Sequence, residues 1–67
     1  MAPKRQAITA REREIFALVA QGYTTKEIAK HLRIKQATVS AHVSNVLRAL
    51  NARSRTHAVY LLYASTQ

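Results

Sequence analysis

Ser40, Ala41, Ser44 and Asn45 recur at positions that share one side of a helix, with Arg48 one turn further on. Serine and asparagine side chains hydrogen-bond base edges or phosphates, an alanine methyl meets a thymine methyl, and an arginine grips guanine bidentately. The set suits contact with the groove of a duplex. An ordinary solvated helix face would carry more Lys and Glu than this one. Small residues also let a helix sit deep. Among these positions and their neighbours, Gln36, Asn45 and Arg48 are long enough for bidentate or long-range base contacts. Part of any sequence preference would then come from water and duplex shape.

Other chemistries fit the chain poorly. His31, His42 and His57 are spaced like no metal-ligand signature, and the chain has no cysteine to support them. No nucleophile has a partnered base, no carboxylates form a pair, and no glycine-rich loop could cradle a phosphate. No cofactor and no metal are expected, and no enzymatic activity. Glu12 and Glu14 fall at a helix start, where negative charge is favourable. Glu12 is read as a capping residue that also pairs with an arginine. His42 is read as lying at the margin of its helix, bonding locally or to a phosphate.

The charge distribution points the same way. The 67 residues carry a formal charge of +8, and the acids Glu12, Glu14 and Glu27 all lie in the first half. From Ile28 onward there is no carboxylate side chain, whereas Lys30, Arg33, Lys35, Arg48, Arg53 and Arg55 follow one another. A basic half on a small folded domain suits a polyanion, most often nucleic acid. Lys26, Lys35, Arg48, Arg53 and Arg55 flank the Ser40–Ser44 stretch and read as phosphate clamps, which position a domain without reading sequence. The absence of cysteine fits a cytosolic setting. No apolar run reaches the roughly 18 residues that a membrane span needs.

The elements that must hold these residues are all helical. Residues 1–7 read as a basic flexible arm and 8–67 as one domain. Thr9 with Glu12, and Thr24 with Glu27, are capping boxes that start two helices, and Ile8 is placed as a staple residue before the first. Ile15, Leu18 and Val19 recur at helical spacing with Phe16 beside them, and Gly22 stops that helix with left-handed geometry. A second helix spans about Thr25 to Leu32, with Ala29 small where another helix must cross. A third spans about Gln36 to Leu50, striped by Val39, Val43, Val46 and Leu50 and ended by Asn51. Ser54 starts a fourth, running to about Tyr63. Its packing face is read as Ala58, Leu61 and Leu62, leaving Thr56, Val59, Tyr60 and Tyr63 as a candidate interface with a second copy. A short helix, a tight turn and a longer helix make the helix-turn-helix plan inside a compact all-α, four-helix domain.

The run Ile8-Thr9-Ala10-Arg11-Glu12-Arg13-Glu14-Ile15, then Gly22, Lys26-Glu27-Ile28-Ala29, Leu32, Ile34, Thr38-Val39, His42, Val46, Leu50 and Arg53-Ser54-Arg55, resembles the LuxR/NarL/GerE-type DNA-binding domain across residues 8 to 63. The short length and Thr24-Thr25-Lys26-Glu27 look most like the stand-alone GerE type. The resemblance implies helix 3 in the major groove of double-stranded DNA, helix 4 as a homodimer surface, and cytoplasmic, nucleoid-associated regulation of bacterial transcription, with RNA polymerase as a further partner. By position it places base contacts on Ser40, Ala41 and Ser44. Backbone contacts fall near Thr38, Lys35 and the basic residues around Arg53, and Gln36 and His42 are added to that set. The chain departs from the family pattern in having Ser40 for the usual Lys, Lys35 for the usual Ser, and His57 where Gln is frequent. Two rival readings remain. One is region 4 of a sigma factor, which shares the Arg-Glu-Arg-Glu helix and Glu-Ile-Ala core. The other is a protein-binding anti-regulator using the Tyr60/Tyr63 side.

Overall fold

The computed structural model describes residues 8–64, so the basic arm expected over 1–7 and the last three residues lie outside it. Four helices follow one another: α1 (Ala10–Ala20), α2 (Thr25–Leu32), α3 (Gln36–Leu50) and α4 (Arg55–Ala64), with no strand among the described residues.

Both expected capping boxes form. The Thr9 hydroxyl accepts from the Glu12 N–H at 3.1 Å while the Glu12 carboxylate accepts from the Thr9 N–H. Thr24 and Glu27 repeat the arrangement at the start of α2. Each box satisfies two of the amides a helix start leaves unpaired. α3 has no such help, since its N-cap, Lys35, makes no side-chain capping bond. At the fourth helix, His57 in place of the frequent Gln would leave the corresponding box incomplete, and the structure closes it differently. Ser54 accepts from the His57 N–H at 3.0 Å, and the His57 ring, standing where Gln is frequent, reaches back through Nδ1 to accept from the Arg53 N–H. The box is thus rebuilt one residue earlier.

Three helices end alike. Gly22 (φ +96°), Arg33 (φ +60°) and Asn51 (φ +56°) turn left-handed. Behind them the N–H groups of Tyr23, Ile34 and Ala52 bond back to Leu18, Ala29 and Leu47. This is the Schellman motif, and the residue after each left-handed turn packs on the core, as the motif favours.

Ile15, Phe16, Ile28, Val39 and Val46 are fully buried, each stabilising the fold by about 1.5–3 kcal/mol. Phe16, placed beside the stripe by periodicity, is the largest side chain at its centre. Ala29 and Ala58 are buried too, and their small size lets α2 and α4 each come close to the α1 and α3 helices they pack on. α1 and α3 each pack against all three other helices. On α4, Leu62 and Val59 lie against the core and Leu61 is half-buried outside that cluster. Val59 follows Ala58 on the inward side, so it keeps only part of its surface for any partner.

Candidate nucleic-acid interface

The packing of α3 decides which side it offers. Val39, Val43 and Val46 are buried against α1, α2 and α4. The opposite side then has to face solvent. Ala37, Thr38, Ser40, Ala41, Ser44, Asn45 and Arg48 are all exposed, as are Lys35 and Gln36 at the helix start. The expected base-contacting set therefore lies on a single outward face.

The electrostatics of this face are uniformly positive. The first turn of α3 contains no acid, and its Thr38 and Val39 amides are satisfied by the Lys35 carbonyl rather than by a side chain. The free amides of that turn, the positive end of the helix dipole and the Lys35 ammonium all favour a phosphate oxygen. Lys26 and Arg53 are exposed as well. Lys30 on α2 and Arg33 just after it, outside the expected clamps, are exposed too and add to the basic surface.

Arg55, His42 and Asn45, all expected site residues, have partners within the domain. Arg55 is half-buried, and its Nη1 donates to Thr25 Oγ1 at 3.0 Å, bridging α4 to the start of α2. It lines an open groove with Val19, Tyr23, Thr24, Lys26 and Thr56. His42 places Nδ1 3.1 Å from Glu12 Oε2. Glu12 was expected beside an arginine. Its partner is instead a histidine thirty residues along the chain, brought there by the crossing of α1 and α3. Arg11 pairs with Glu14 at 3.3 Å. Burial pushes the Glu12 carboxyl up, but hydrogen bonds from His42, the Thr9 N–H and Asn45, with the charge of His42, bring it below the ordinary 4.5.

On α4, Tyr60 and Tyr63 are exposed by 65% and 46%. Thr56 is exposed one turn before Tyr60. Among the described residues no cluster of His, Cys, Asp or Glu could hold a metal, and no helix is long and apolar enough to cross a membrane.

A helix-turn-helix whose second helix presents a small, polar, acid-free face defines a DNA-binding domain. Residues 6–62 match the family described as bacterial regulatory proteins, luxR family, and the chain belongs to it. It is 48% identical over 52 residues to the spore germination protein GerE of Bacillus subtilis strain 168, covering 78% of this chain and 70% of that protein. It is 46% identical over 54 residues to the response regulator protein VraR of Staphylococcus aureus, covering 81% of this chain and 26% of that protein. The family is one of DNA-binding transcriptional regulators, not of enzymes.

Proposed function

We propose that the chain is a sequence-specific regulator of bacterial transcription that reads double-stranded DNA with α3 in the major groove and pairs with a second copy through α4. It would act at promoters in the cytoplasm, alongside RNA polymerase. Ser40, Ala41, Ser44, Asn45 and Arg48 contact base edges. Lys26, Lys35, Gln36, Thr38, His42, Arg53 and Arg55 contact phosphates, with Arg55 exchanging or sharing its bond to Thr25. Thr56, Tyr60 and Tyr63 form the centre of the dimer surface and Val59 its margin.

The observation that carries this reading is the opposition on α3 of a buried valine stripe and an exposed face of short side chains without a carboxylate. The match over residues 6–62 favours it over region 4 of a sigma factor. The test is substitution on the exposed face. Ala41→Glu sets a carboxylate against phosphates and base edges, and a misplaced charge at a protein–DNA contact costs several kcal/mol. Duplex binding should fall at least a hundredfold with the helical circular dichroism unchanged. Binding as tight as the parent's would overturn the groove assignment. A parent that binds no duplex at low salt, yet binds another regulator through Tyr60, would establish the anti-regulator reading instead.

A further inference from the structure

We propose that Glu12 is a positioning residue for the DNA interface: it holds His42 with Nδ1–H turned inward and Nε2 turned outward, so that a docking backbone phosphate is met by an imidazolium and complex formation takes up a proton. The proposal rests on the reading that α3 faces the duplex, and it assigns a task to a buried acid on α1.

The Glu12 side chain is 8% exposed and that of His42 is 27% exposed. One carboxylate oxygen is occupied by the Thr9 N–H and the other by the ring, both at 3.1 Å. With its pKa held below the ordinary value, Glu12 is a carboxylate at neutral pH and can only accept. The proton between the two groups therefore sits on Nδ1. A neutral ring so held shows a bare lone pair at Nε2, which repels a phosphate oxygen. Only the doubly protonated ring offers a donor there. With Nδ1 turned to Glu12, Nε2 lies on the opposite edge of a ring whose side chain is 27% exposed.

The setting favours the charged form once a phosphate arrives. The ring would then lie between two anions, Glu12 beneath and the phosphate outside, each stabilising the imidazolium. Thr38 and Asn45, both on the expected DNA face, stand about one turn before and after His42 on α3. Glu12 is the charged side chain in hydrogen-bond contact with His42 among the described residues. On α1, Arg11 is paired with Glu14 and Arg13 is exposed. On α2, Lys26, Glu27, Lys30 and His31 are exposed, as are Arg33 after it and Lys35 and Arg48 on α3. Near the start of α4, Arg55 is turned to Thr25 and His57 to the Arg53 amide.

The experiment is calorimetric titration of the whole chain with its preferred duplex, at about pH 7.5, in buffers of differing ionisation enthalpy. The expected result is net proton uptake on binding, with affinity falling as the solution becomes more alkaline. In His42→Gln, which cannot titrate but can still donate to a phosphate, affinity should fall and the uptake that accompanies the remaining binding should vanish. In Glu12→Gln the uptake should shrink, because a neutral ring is then free to carry its proton on Nε2. A merely structural Glu12 would shift the melting temperature and leave proton uptake alone. His31→Gln should leave it unchanged. Should Glu12→Gln fail to fold, His42→Gln carries the test, since that ring takes no part in a helix cap. Normal binding without proton uptake, or uptake that survives in His42→Gln, overturns the proposal and leaves the DNA-binding reading standing. Absence of salt-dependent duplex binding by the parent overturns that reading, and the proposal with it.

Discussion

At the scale of the residue, Glu12 links stability to acidity. Its folded pKa lies below the ordinary carboxylate value of 4.5. Below about pH 4.5 the unfolded chain therefore binds more protons here than the folded one. The contribution is complete above that pH and is lost as pH falls through the folded value. Denaturant titrations between about pH 5 and pH 3 should show falling stability, and Glu12→Gln should flatten that slope. An unchanged slope in the variant would show that other groups govern the acid limb. Glu12→Ala removes both the amide cap and the bond to His42, and should cost about 2 kcal/mol at neutral pH. The capping part of this role is legible locally, because a box needs only Thr9 and Glu12 at the right spacing. The bond to His42 is not. It spans thirty residues and depends on how α1 crosses α3, which periodicity alone does not fix.

At the scale of the element, the left-handed helix ends separate what local sequence encodes from what packing imposes. Gly22 and Asn51 are residues suited to positive φ, and both mark helix ends in the sequence. Arg33 carries no such signal, yet it adopts φ +60° because Ile34 must turn down onto the core and bond back to Ala29. A branched chain of atoms at that angle costs stability that glycine avoids. Arg33→Gly should therefore stabilise the DNA-free domain by about 0.5–1 kcal/mol. Gly22→Ala should destabilise it by a similar amount through backbone strain alone, since a Cβ there would meet nothing within 4 Å. Thermal melts of the two variants should shift in opposite directions, and a lower melting temperature for Arg33→Gly would refute the strain argument. The bounds of α2 and α3 were readable for related reasons: one begins at a capping box and the other carries its valines at strict helical spacing. The packing of α4 was less readable. Ala58 and Leu62 point inward as periodicity suggests, but Val59 rather than Leu61 completes the contact. On a helix of ten residues with apolar groups on several sides, the partner's shape decides which side is buried.

At the scale of the whole molecule, basic surface and exposed tyrosines make separable contributions to binding. The formal charge of +8 is concentrated after Ile28, where no acid offsets it. If each subunit neutralises roughly four phosphates, a dimer should give a slope near −7 in log affinity against log salt concentration. Lys35→Ala should weaken binding about equally on every sequence and make that slope shallower. Dimerisation is tested on α4. Tyr60 is 65% exposed, with Thr56 one turn before it and Tyr63 nearby, on the side of α4 away from Ala58. A domain this small gains little from showing aromatic rings to water, and such rings are enriched where proteins meet. Two copies joined across a two-fold axis at α4 would set two α3 helices on half-sites about one turn of DNA apart, so the preferred site should be an imperfect palindrome. Tyr60→Glu would bring two carboxylates together at that axis without touching the core. The variant should remain folded and monomeric, bind an isolated half-site about as well as the parent, and lose at least about tenfold on the full palindrome, or 1.4 kcal/mol of coupling between subunits. Equal loss on half-site and palindrome would mean that Tyr60 acts within the subunit. Unchanged binding to both would remove α4 from the dimer surface.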